Sequence, residues 1–246
     1  MAQLHSARAS NIALIAALTP FLFLGAQLAA RAEPDPHRPT CDSAVCEKIK
    51  SFLKAHYCAE SPAGNGPDDS CEIADPKKTP RPGIEVIAHF DCAWSEPASK
   101  NVCRQYGQPS AEVRAALTRE LRRLGLPAAE DRRTYFSVWR LESSGWSVAE
   151  GYYERVSGSS LALCQVLVML DPNSRAFVVR ELPFQKTDAD VPLVTTWSIL
   201  DLADVDGDGR PDVILRGDAY ENHWIEVHTV RHGASHMIFS GLGYYL

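Results

Sequence analysis

From Thr134 onward helical periodicity disappears. Eight short runs rich in β-branched and aromatic residues take its place, at 134–141, 146–155, 161–170, 175–183, 195–202, 212–217, 223–231 and 236–240. Turn chemistry separates them, as in Ser143-Ser144-Gly145, Ser157-Gly158-Ser159 and Asp171-Pro172-Asn173. Regular short strands divided by such turns build antiparallel meanders, because each turn reverses the chain beside the strand it leaves. Residues 134–246 are therefore expected to form a mainly antiparallel β domain, a sandwich or blade-like meander rather than a closed propeller.

Within that domain Asp204, Asp206, Asp208 and Asp212 fall at positions 1, 3, 5 and 9 of a loop, with Gly209 at position 6. Calcium takes six to eight oxygens in a flexible shell, so a loop that binds it must converge several carboxylates. Alternate aspartates do this while the loop curls, and glycine allows the sharp turn through positive φ. The carbonyl of Arg210 would stand at position 7, its side chain in solvent, and Asp212 would close the shell. Without a cation these charges repel by about 1 kcal/mol per close pair in water. Magnesium competes less well, because it demands near-ideal octahedral geometry. The alternative is a solvated acidic turn between two strands.

An EF-hand would carry a bidentate glutamate at position 12 and helices on both sides. Position 12 is Leu215, and the flanks Thr196-Trp197-Ser198-Ile199-Leu200 and Val213-Ile214-Leu215 read as strand–loop–strand. Residues 196–217 thus resemble the calcium loop of FG-GAP or VCBS-type repeats, the blades of integrin-α-like β-propellers, in a single copy. The resemblance implies a hairpin holding calcium through Asp204, Asp206, Asp208, the Arg210 carbonyl and Asp212.

The N-terminal half reads differently. Residues 1–32 have the form of an export signal, with Arg8, an apolar core from Ile12 to Leu24, and Ala30-Arg31-Ala32 as the cleavage site. An uncleaved anchor is the alternative. The expected address is secreted or periplasmic, with no membrane span once the signal is removed. A Pro-rich linker follows at 33–40. Residues 41–133 then form a small cysteine-rich part of helices and strands, which makes the whole chain α+β. One helix runs from Asp42 or Ser43 to about Tyr57 and turns Val45, Ile49, Phe52 and Leu53 inward. A second runs from Ser110 to Leu124 with Val113, Leu117, Leu121 and Leu124 as its stripe, placed to cover a sheet edge. A strand is expected at 84–94.

Six of the seven cysteines lie between 41 and 103, which in an exported chain implies about three disulfides. Cys46 and Cys58 are too far apart along one helix to bond each other. No Cys-x-x-Cys pair supports zinc. Cys164 sits in an apolar run and reads as a free buried thiol. Removing Arg8 and Arg31 with the signal from the 25 basic residues leaves 23 against 31 acidic ones, which argues against a nucleic-acid partner. The arginines at 114, 119, 122 and 123 then read as a solvated helix face.

Three functions fit these features. The first is an exported module, structural or binding a protein or glycan partner, with calcium as a structural ion. The second is a secreted hydrolase drawing acids and bases from His89, Asp91, Glu221 and His223, although no catalytic motif joins them. The third is calcium-dependent adhesion or carbohydrate binding through a rim at Tyr220 and Trp224.

Overall fold

The computed structural model describes residues 44–59, 72–73, 81–93, 102–189, 192–219 and 222–245. The expected signal at 1–32, the linker at 33–40 and most of the loop between 59 and 83 lie outside the described residues. Among those described, no helix is long and apolar enough to cross a membrane.

The chain is α+β and mostly antiparallel strand, arranged in two open sheets rather than a barrel. Helix α1 (Ala44–Tyr57) leads into the short strands β1 (Cys58–Ala59) and β2 (Glu72–Ile73), which pair with each other. Strands β3 (Ile84–Ala93) and β4 (Val102–Gly107) form a hairpin, and helix α2 (Ala111–Arg123) and a 3-10 turn at Ala128–Arg133 lead to β5 (Thr134–Leu141). Strands β6 (Ser147–Ser157), β7 (Ser160–Leu170) and β8 (Ala176–Asp188) follow as a meander. Together these make a six-stranded sheet in the order β4-β3-β5-β6-β7-β8. A four-stranded sheet, β12-β11-β10-β9, is built from β9 (Thr196–Ala203), β10 (Asp212–Ala219), β11 (Asn222–Arg231) and β12 (Ala234–Tyr245).

Because β3 pairs with β5 in the larger sheet, residues 84–133 do not form a body separate from 134–246. Pro34–Leu246 make one compact unit. Its layers run helix, sheet, sheet, helix. Leu117 and Leu121 of α2 pack on Ala149, Cys164 and Val166 of the larger sheet. The opposite face of that sheet, with Val148, Leu167 and Met169, meets Ile199, Val213 and Leu215 of the smaller one. Ile49 and Leu53 of α1 then pack on the far face of the smaller sheet, against Ile214, Val227 and Phe239.

Two expectations change here. Helix α2 lies across a sheet face rather than over an edge, and Gly151 lets it approach: a Cβ there would stand 3.2 Å from Leu121 and 3.3 Å from Leu117. Helix α1 buries Cys46, Ile49, Leu53 and Tyr57, while Val45 is left 45% exposed. The stripe is turned by two anchors at its ends. Cys46 is in a disulfide, and the Tyr57 hydroxyl donates to the buried Asp201 carboxylate, which also pairs with Arg81 at 2.8 Å. Asp201 can face α1 because Leu200 is an extra residue in β9, opposite the Ile214–Leu215 step of β10.

Glutamine side chains complete the ladders where backbone runs out. The β3–β5 ladder ends at the Ala88–Val138 pair, so Phe136 of β5 has a strand partner on the β6 side, Gly151, but none on the β3 side. Gln105 takes that place, its Oε1 accepting from Phe136 N and its Nε2 donating to Phe136 O, both at 2.8 Å. Gln165 of β7 does the same across the layers, accepting from Trp197 N at 3.0 Å and donating to Trp197 O at 2.5 Å.

Cysteine usage follows the expectation in part. Cys92 and Cys103 are register partners in the β3–β4 hairpin and are bonded, with Cα atoms 4.0 Å apart. Cys46 and Cys58 are also in disulfides, whereas Cys41 and Cys71 lie outside the described residues. Cys164 is free and buried, and burial pushes its thiol up to about 12, so it is inert.

Candidate metal centre

The loop joining β9 to β10 is a strand–loop–strand hairpin. Its backbone turns on glycine: Gly207 and Gly209 both have positive φ, +82° and +84°. Its carboxylates organise its amides. Asp204 accepts from Gly207 N at 2.7 Å and Gly209 N at 3.0 Å, Asp206 accepts from Asp208 N at 3.0 Å, and Asp208 accepts from Arg210 N at 2.9 Å. Both oxygens of Asp204 are used in this way, while Asp206 and Asp208 each keep a second oxygen that faces Arg231. One ligand oxygen from each of Asp204, Asp206 and Asp208 lies within 4.8 Å of the others.

Asp212 lies outside that group of three but borders it. It is fully buried at the start of β10. Its Oδ2 accepts from Val205 N at 3.0 Å and Asp206 N at 3.4 Å. Its Oδ1 is buried without a hydrogen bond, although the nearby Thr229 hydroxyl favours its charged form. Burial, reinforced by the charge of Asp206, pushes its carboxyl up to about 7. A buried carboxylate oxygen without a donor costs free energy that a cation would offset.

Arg210 is exposed, and its guanidinium reaches the Val230 carbonyl at 3.4 Å rather than ending in solvent. Two other cations border the loop. Arg231, at the end of β11, pairs with Asp206 and stands 3.4 Å from Asp208. The Lys48 ammonium of α1 lies where a Cβ on Gly207 would reach it at 2.5 Å. Sequence spacing carries no signal for either, because both arrive through tertiary packing from elements far along the chain.

Comparison with known protein families, curated proteins and solved structures finds no match. The site therefore rests on its own geometry.

The remaining candidates separate. His89 stacks on Tyr106 with centroids 4.8 Å apart, and Asp91 is exposed. His223 lies on β11, paired in register with Asp218 and Tyr244. Glu221 and Tyr220 lie outside the described residues. Trp224, expected on a stacking rim, is 4% exposed and donates to Glu226 Oε1 at 2.9 Å, so it belongs to the core. The arginines of α2 are engaged locally: Arg122 with Asp131, Arg123 with Glu120 and Glu181, and Arg114 with Gln108.

Proposed function

We propose that residues 204–212 bind calcium, that the ion acts on stability rather than chemistry, and that the chain is an exported calcium-stabilised structural or binding module. The observation that carries this reading is the convergence of Asp204, Asp206 and Asp208 beside the fully buried carboxylate of Asp212. All the side-chain ligands are hard oxygen donors, which suits calcium over a transition metal. Asp204, Asp206, Asp208 and Asp212 would supply carboxylates and Arg210 its carbonyl, as in the FG-GAP/VCBS-type loops the sequence resembles. The ion would pin the turn that joins β9 to β10.

Extracellular modules bind calcium at about 0.1–1 mM. At tenfold saturation linkage contributes about 1.4 kcal/mol, or roughly 3–6 °C in melting temperature for a domain of this size. Thermal melts in calcium and in EDTA, for the wild type and Asp206→Ala, test this. Calcium is expected to raise the wild-type midpoint by that amount and to leave Asp206→Ala unmoved. Equal wild-type midpoints in calcium and EDTA contradict a structural ion.

A further inference from the structure

A cavity of about 460 Å³ lies between the two sheets. It borders Thr196–Ile199 of β9 and Arg216, Asp218 and Ala219 of β10, the end of that hairpin away from the aspartate loop. The volume is within the roughly 300–1,000 Å³ of small-molecule sites, and about fifteen waters occupy that much liquid.

Its floor is the inward face of β6 and β7. Strand alternation sends Glu150, Tyr152 and Glu154 to the same side, and all three are buried against the smaller sheet. Carboxylates in such a place need donors. Gln165 donates to Glu150 at 2.7 Å and the Tyr152 hydroxyl to Glu154, which aligns the two acids along one wall. Across from them Trp197 of β9 lines the cavity. Arg216, whose Nε donates to Asp218 at 2.7 Å, is instead the register partner of Ile225 and belongs with it to the face of the smaller sheet turned toward α1. Ring surfaces complete the lining, from Trp139 and Trp197. The Trp197 indole N–H is buried and makes no hydrogen bond.

This mixture selects by exclusion. An anion would meet the carboxylates of Glu150 and Glu154 at short range in a weakly screened space. An apolar molecule would cover those carboxylates without giving them donors. An alkylammonium would add donors to the acids and stack on the rings, but it has no acceptor for the Trp197 N–H. A neutral polyhydroxylated ring offers both. Its hydroxyls donate to carboxylates in charge-assisted bonds and accept from the indole, while its C–H faces cover the aromatic rings.

We infer that the cavity between the sheets binds a neutral saccharide. The site is separate from the aspartate loop, and its occupancy does not require calcium.

The test uses the mature chain, titrated by tryptophan fluorescence and saturation-transfer NMR with a panel of neutral mono- and disaccharides. Spermidine and glucuronate serve as the amine and anion probes, each run in calcium and in EDTA. At least one neutral sugar is expected to bind saturably, with the same affinity in both buffers. Glu154→Gln keeps the shape and an acceptor for Tyr152, and should weaken binding about tenfold, the loss of one charge-assisted bond. Trp197→Phe removes the N–H and should weaken it several-fold. Three outcomes overturn the proposal: no saturable sugar binding by folded protein, tighter binding of spermidine or glucuronate, or wild-type affinity in whichever variants fold. An EDTA shift in melting without a change in sugar affinity keeps this result apart from the calcium reading.

Discussion

Arg231 is the residue that most changes the electrostatics of the aspartate loop. In the ion-free chain it bridges Asp206 and Asp208 and offsets their repulsion. A divalent ion must compete with it for the same oxygens. The guanidinium is 44% exposed, so screening limits the pair to about 0.5–1 kcal/mol. Arg231→Gln is therefore expected to raise calcium affinity about two- to five-fold, and to lower stability slightly in EDTA. Isothermal titration at two salt concentrations reads this, with the difference from wild type shrinking at high salt. Weaker calcium binding in the variant would show instead that Arg231 holds the aspartates in place for the ion. The convergence of Asp204, Asp206 and Asp208 was legible because their spacing is local, set within one short turn. Arg231 and Lys48 were not, since Arg231 stands 25 residues from Asp206 and Lys48 lies far earlier in the chain, and only the packing of β11 and α1 brings them there.

At the level of elements, the β10–β11 ladder shows how one missing side chain seats another. Gly217 and Trp224 are register partners, and the indole lies over the glycine. A Cβ at Gly217 would stand 2.5 to 2.9 Å from three atoms of that ring. Gly217→Ala must therefore displace Trp224 and break its bond to Glu226. The expected loss is about 1–3 kcal/mol, a melting decrease of roughly 3–10 °C, with a change in near-ultraviolet circular dichroism from the moved indole. An unchanged spectrum and midpoint would mean that the ladder absorbs the methyl. Most of the long strands could be read from the sequence, because turns such as Asp171-Pro172-Asn173 punctuate them locally. However, β4 was missed, and β8 and β12 run on to Asp188 and Tyr245, past their expected ends at 183 and 240. Helix α2 could be read for the same reason: Ser110 caps it through Val113 N at 3.3 Å, and Gly125 at φ +96° ends it. The buried face of α1 was misjudged at Val45, because its orientation is set by the Cys46 disulfide and the Tyr57–Asp201 bond rather than by its own periodicity. The pairing of β3 with β5 was equally invisible, being made across α2.

Among the described residues the two sheets are joined by apolar packing, by the bonds of Gln165 to Trp197 and by a buried ionic cluster. Arg180 of β8 reaches Glu226 of β11 at 2.7 Å, and His228 stands 3.0 Å from the same carboxylate. Burial alone would raise the Glu226 carboxyl, but the bonds from His228 and Arg180 outweigh it and hold the group down at about 2. Burial pushes His228 below its usual range, against the pull of Glu226. Both shifts have the same sign for folding. As pH falls through about 6.5 the unfolded chain protonates the histidine while the fold resists, so stability declines. As it falls further, from about 4.5 toward 2, the unfolded chain protonates the glutamate first and stability declines again. Denaturant melts across pH 3–8 are expected to show this two-step loss. Glu226→Gln should be less stable at neutral pH and should flatten the lower step; an unaltered acid limb would place the dependence elsewhere.

The seating of Gln165 on Trp197 gives the layers a reporter of their own. An amide on an outer strand, with no backbone neighbour beyond it, ordinarily trades its hydrogen for deuterium quickly. The Trp197 amide is held by a side chain from the other sheet, so its exchange rate follows how often the layers part rather than how often either sheet frays.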